Sequence, residues 1–231
     1  MSLMPLAMMA IAPGIALLAY FYLKDQYIAE PFSLVFRVFM IGVLLVFPVM
    51  IIQRGLYLWL TPPEWAQAFF LSGGIEEFFK WFAILYYMFN HREFDEPYDG
   101  IVYTTSLSLG FATMENIIYA FAYQLRPFDL FLRALLPVSG HALFGVMMGF
   151  WFGKAKFSPE STRKYVAVAL FLPVLWHGMF DFLLTDSVQV WVWLIIPLMA
   201  ALWFRGIRKV HIANARSPYR MLRHDDMPHS S

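Results

Sequence analysis

The sequence predicts an all-α, polytopic membrane protein of about seven transmembrane helices around a four-helix catalytic core. Composition gives the first reason. The 231 residues are 60% hydrophobic and 14% charged, against about 25% charged in a soluble domain. Mean hydropathy is +0.59. The second reason is recurrence: apolar runs near the ~20 residues that cross a bilayer follow one another along the chain. The same numbers exclude other classes. A net charge of +1 supplies no basic field for nucleic acid. Without cysteine there is no disulfide, no thiolate metal site and no cysteine nucleophile.

In chain order, the expected spans are Met4–Leu23, Phe32–Ile52, Trp65–Phe89, Gly100–Tyr123, Phe128–Phe152, Tyr165–Leu184 and Val188–Trp203. No basic residue and no small-residue cleavage site accompanies the first, so it reads as a retained span rather than a signal peptide. Gly55–Leu60 either extends the second span or lies in the interface, where Tyr57 and Trp59 suit the headgroup level. Residues 1–204 read as one transmembrane domain with its catalytic core at about 65–184. Residues 205–231 read as a polar tail. No internal repeat is evident.

Orientation follows from the basic residues. One set of span ends holds Lys24, Arg37, Arg92, Lys154, Lys156, Arg163, Lys164 and six tail residues from Arg205 to Arg223. The other holds only Arg54, Arg126 and Arg133. The C-terminus is therefore expected in the cytoplasm.

Ionisable groups inside spans are costly, about 2.5–3.5 kcal/mol each at the bilayer centre on insertion scales. Those present therefore point to a task. The third span carries Glu76, Glu77 and Lys80, the fourth Glu115 and Asn116, the fifth His141, and the sixth His177 and Asp181. Four consecutive spans hold the polar chemistry, so one shared site is expected. At 1.5 Å per residue, Glu76 lies about 16 Å below the outer boundary, His141 about 18–20 Å, and Glu115 and His177 about 12 Å. They can meet at one level in the middle to outer part of the bilayer. Glu76 and Lys80, like His177 and Asp181, are i,i+4 neighbours on one helix face. Lys80 can neutralise one glutamate and leave the other for chemistry. Pro137 and Pro173 each stand four residues before a histidine, and Gly73-Gly74 precedes the glutamates. Both features suit kinks or a gate at the site.

Carboxylates with two histidines suit activation of water. A catalytic zinc takes three His, Glu or Asp ligands plus water. His141 and His177 with Glu115 or Asp181 meet that count, leaving Glu76 or Glu77 as base. A metal-free version is equally drawable: a glutamate and one histidine activate water, and the other histidine with Asn116 stabilises the oxyanion. No HExxH helix is present.

Four motifs stand in order: Glu76-Glu77-Phe78-Phe79-Lys80 (EExxK), Phe111 to Asn116 (FxxxEN), Ser139-Gly140-His141, and His177 to Asp181 (HxxFD). Together they resemble the PrsW family of bacterial intramembrane proteases, distantly similar to CAAX prenyl endopeptidases. The resemblance covers about Trp65 to Leu184. It implies cleavage of a membrane-anchored substrate, typically a single-span anti-sigma factor, on the extracytoplasmic side of a bacterial cell membrane. It carries functional roles to Glu76, Glu77, Glu115, His141 and His177, and implies a metallopeptidase, for which zinc is the expected ion. Three rivals are a proton-coupled transporter, since Glu/His chains also relay protons, a catalytically silent binding or scaffold protein, and a CAAX-type endopeptidase acting on lipid-anchored C-termini. The FxxxEN motif favours the PrsW side.

Overall fold

The computed structural model describes residues 3–123, 125–185 and 191–220. The first residues of the expected seventh span and the tail beyond Arg220, with His224 and His229, lie outside the described residues. All regular structure among the described residues is helical. Helix α1 is Leu3–Tyr22 and α2 is Phe32–Leu60. Gly55–Leu60 thus extends the second helix. It stops at Thr61, whose left-handed φ of 41° lets its N–H cap Tyr57 O, and Pro62-Pro63 cannot continue the ladder.

The third expected span is built in pieces. A short α3, Glu64–Ala66, runs through a π-helical turn, Gln67–Ser72, into α4, Gly73–Tyr87. Next come α5, Asp99–Ala122, and α6, Pro127–Arg133. A second π turn, Ala134–Val138, contains Pro137 and leads into α7, Ser139–Lys156. Last are α8, Thr162–Leu183, and α9, Trp191–Asn214. Pro173 does not interrupt α8.

Four helical stretches are long and apolar enough to cross a membrane: Met4–Tyr22, Phe32–Leu60, Pro127–Lys156 and Pro159–Leu183. The others differ for legible reasons. The α3–α4 stretch is interrupted and carries Glu76, Glu77 and Lys80. Helix α9 carries Arg205, Arg208 and Lys209. Helix α5 is rich in hydroxyls, because it is the centre of the bundle rather than its surface. Every residue of α5 from Asp99 to Thr113 is buried, and α1, α2, α4 and α7 all pack on it. Helix α7 is its closest partner. At their crossing, a Cβ on Gly149 would lie 2.2 Å from Gly100 O, so backbone meets backbone there. Helix α8 packs on α7 and α4, and α9 on α7 and α8.

Several helix ends converge at one end of the bundle. Asn214 Nδ2 donates to Lys24 O (3.2 Å) and Lys156 Nζ to Phe89 O (2.8 Å). Tyr219 OH donates to Asp95 Oδ2 (2.9 Å). Lys24 and Lys156, two members of the basic set expected on one side, both stand at this end. At the opposite end the chain turns between α2 and α3 and between α5 and α6.

Candidate active site

Two of the helices that build the polar cluster, α4 and α7, enter it through a π turn. Such turns insert one residue into the ladder and are frequent at functional sites. The first ends at Gly73, which touches α8: a Cβ there would lie 2.8 Å from Gly178 N. A Cβ on Gly178 would in turn lie 2.4 Å from the Phe69 ring of the π turn. Two missing side chains let α4 and α8 approach until Glu77 and His177 bond directly. By contrast, a Cβ on Gly140 would meet only ordinary van der Waals contacts.

Glu76, Glu77, His141 and His177, from α4, α7 and α8, each bring one donor atom within 4.8 Å of the others. All four are buried. His177 Nδ1 donates to Glu77 Oε1 at 2.9 Å. Its Nε2 then faces Asp181 Oδ2 at 3.5 Å and Glu76 Oε2 at 4.0 Å. Lys80, fully buried, donates to Glu77 Oε1 (2.8 Å), Glu76 Oε2 (3.4 Å) and His141 Nδ1 (3.1 Å). His141 Nε2 donates to Glu115 Oε2 at 3.1 Å. The Lys80 ammonium also lies 4.2 Å from the Phe111 ring centre. The expected pairing of Lys80 with the glutamates is therefore direct.

Glu115 and Asp181 stand one bond further out, each on a histidine. Asp181 also accepts from Ser72 Oγ, at the end of the π turn. Asn116 faces away from the cluster. It donates to Ala10 O (2.9 Å) and accepts from Arg133 Nε (2.9 Å), tying α1 to α5 and α6.

A cavity of about 510 Å³ leads to the cluster. Glu76, Glu115, His141, His177 and Asp181 line it, while Glu77 and Lys80 stand behind its wall. Its other lining includes Arg54, Tyr57, Glu64, Arg133 and Thr185, from the helix ends opposite the basic face. Two contributors escaped the sequence reading. Gln53 Nε2 donates to Glu76 Oε1 at 3.1 Å and to Leu71 O at 2.9 Å. Its signal was its place one residue beyond the expected end of the second span, in a helix that continues. Ser72 carried no signal of its own.

The donor set fits a metal ion. Two imidazoles and two carboxylates give the mixed nitrogen and oxygen ligands that zinc takes. Glu77 Oε2 is buried with no hydrogen-bond partner.

A family model described as PrsW family intramembrane metalloprotease matches residues 30–204. Protease PrsW of Geobacillus kaustophilus is 51% identical over 201 residues, covering 87% of this chain and 88% of that protein. Protease PrsW of Bacillus subtilis is 49% identical over 210 residues, 89% and 94% of the two chains. That of Clostridioides difficile is 29% identical over 214 residues, 89% and 90%. No solved structure matches the chain.

Proposed function

Because the chain belongs to the PrsW family of intramembrane metalloproteases, a multi-pass membrane enzyme acting on a membrane-embedded substrate, we propose that Glu76 is the base that activates the attacking water. The observation that carries this is the different exposure of the two glutamates. Glu76 faces the cavity, and Glu77 lies behind it against Lys80 and His177.

In this reading, water enters the cavity and gives a proton to Glu76 as its oxygen bonds to the scissile carbonyl carbon. The C–N bond then breaks, and Glu76 returns the proton to the leaving amine. His177 is held by Glu77 on Nδ1, which leaves Nε2, facing Asp181 and Glu76, free for a metal ion. His141, His177 and Glu77 would hold a zinc ion. When bound, zinc polarises the carbonyl and lowers the pKa of water. Glu115 and Asp181 orient the two imidazoles, an arrangement that tunes metal sites elsewhere. Lys80 balances the paired carboxylates.

Seven spans follow if α3–α4, α5 and α9 cross alongside the four more apolar stretches, with α5 shielded by its neighbours. The cavity opens toward the end that bears only Arg54, Arg126 and Arg133. By the positive-inside rule that end is extracytoplasmic and the C-terminus cytoplasmic, in a bacterial cell membrane. The substrate is a single-span protein, of which an anti-sigma factor is the kind the family resemblance implies. Its helix must unwind locally, because helical carbonyls are already hydrogen-bonded.

The test is cleavage of a single-span reporter in liposomes, with metal content of the purified enzyme measured by mass spectrometry. Glu76→Gln should retain the ion and abolish cleavage. His141→Ala and His177→Ala should lose both. Cleavage at the wild-type rate by Glu76→Gln would overturn the assignment. Full activity without bound metal would remove zinc from it.

A further inference from the structure

A second group of carboxylates lies at the other end of the bundle, away from the cavity. Asp25 follows α1, Glu96 sits in the loop before α5, and Asp99 is the first residue of α5. Each brings one oxygen within 4.8 Å of the others. Glu96 and Asp99 are completely buried and Asp25 partly so.

Their hydrogen bonding follows one pattern. Each carboxylate uses one oxygen on backbone N–H groups. Asp25 Oδ1 accepts from Tyr27 N (3.3 Å), Glu96 Oε1 from Ile28 N (3.4 Å), and Asp99 Oδ2 from Asp95 N (2.8 Å) and Glu96 N (2.7 Å). Each leaves the other oxygen, Asp25 Oδ2, Glu96 Oε2 and Asp99 Oδ1, buried without a hydrogen-bond partner among the described residues. Buried polar atoms normally find one. Three orphaned oxygens on three adjoining acids share one missing ligand more simply than three separate defects.

The surroundings sharpen the chemistry. Glu30 stands beside Asp99 and Ser217 beside Glu96, adding oxygen donors. No histidine is in the group. The nearby ammonium of Lys156 is committed to the carbonyls of Phe89 and His91. The Arg92 guanidinium pairs with Glu93. An oxygen-only donor set suits hard divalent cations rather than zinc.

We propose that Asp25, Glu96 and Asp99 form a binding site for a hard divalent cation, of the Mg2+ or Ca2+ class, separate from the active site. The ion ties the α1–α2 turn to the loop before α5 and, through Glu96 and Ser217, to the chain after α9. Its role is structural: it closes the end of the bundle where four chain segments meet.

The test uses the full chain in detergent, carrying Glu76→Gln and His177→Ala so that the active site does not contribute. Bound Mn2+ is counted by electron paramagnetic resonance, and thermal unfolding is followed after chelation and after return of Mg2+ or Ca2+. One Mn2+ per chain is expected, displaced by Mg2+ or Ca2+, whichever binds more tightly being the natural ion. The midpoint should rise by about 5 °C on adding it back. Asp99→Asn should lose both effects. Asp25→Asn, at a partly exposed position that tolerates an amide, should weaken Mn2+ binding about tenfold or more. Absence of a bound ion at millimolar cation would overturn the proposal. So would equal binding by the Asp25→Asn variant, or a midpoint that responds to pH and to no cation.

Discussion

The two ends of this molecule bury acidic side chains in opposite ways. In the active-site cluster, Glu76 and Glu77 are matched inside the fold by Lys80, His141 and His177, with bonds of 2.8–3.4 Å to the lysine. At the far end, Asp25, Glu30, Glu96 and Asp99 crowd together with tyrosine hydroxyls and, among the described residues, no bonded cationic side chain, Tyr103 OH donating to Glu30. Burial pushes Glu30 up to about 7 and Asp99 up to about 10 there. A cluster with internal counter-charges balances its carboxylates within the fold. A cluster without them depends on something from outside, a cation or protons. The first arrangement serves chemistry beside a cavity, and the second serves closure of a bundle end.

The strongest way to break this contrast is at Glu76. Replacing it by Gln should lower reporter cleavage by about 10³–10⁴-fold, with unfolding temperature unchanged. A modest loss would mean that the counter-charged cluster is not where water is split.

Lys80 tests the internal balance. Lys80→Met leaves two buried carboxylates facing each other and should destabilise by about 3–5 kcal/mol, read by thermal unfolding of the detergent-solubilised protein. In chelator, Asp99→Asn at the far end should cost little, since burial already favours the neutral form of that acid and an amide is neutral too. Equal losses from the two would erase the distinction.

Asp181→Asn and Glu115→Gln act through the histidines. Each should reduce cleavage or metal affinity about 10–100-fold, less than Glu76→Gln. A loss as large as that of Glu76→Gln would move the residue onto the substrate or the ion.

The smallest effect concerns Lys209, half-buried over the rings of Phe150 and Trp151 at 3.9 and 4.8 Å. Burial, with Lys154 and Arg205 beside it, pulls its pKa down to about 8. An unfolded lysine titrates near 10.4. Between about 8 and 10 the unfolded chain therefore binds more protons, and stability rises with pH. Lys209→Met should flatten that rise in unfolding temperature. An unchanged slope would show that the lysine is better solvated than its neighbours suggest.

Much of the site could be read in advance because charge inside an apolar run is conspicuous at any resolution of reading. Glu76, Glu77, Lys80, Glu115, His141, His177 and Asp181 needed only their surroundings to be noticed, and Glu76, Glu77, His141 and His177 do converge. Their division of labour was not readable. Glu76 and Glu77 are chemically identical neighbours about 100° apart on a helix, and which one faces the cavity depends on how α4 is rotated against α8. Asn116 adjoins Glu115 in a motif, and a helix–helix hydrogen bond is the commoner role of such an amide; its side chain bonds Ala10 and Arg133 between helices. The acidic group at the far end was missed because Asp25, Glu96 and Asp99 lie in or beside loops, where charge raises no alarm.

Sequence alone determined that the chain is helical and membrane-embedded, and which spans carry reactive groups. Apolar run length and the cost of buried charge are local properties, written residue by residue. Tertiary structure alone decided the two π turns, the α4–α8 contact over Gly73 and Gly178, and the pairing of each acid with its partner. Those depend on how backbones separated by more than a hundred residues, as Gly73 and Gly178 are, approach one another, and no local pattern encodes that distance.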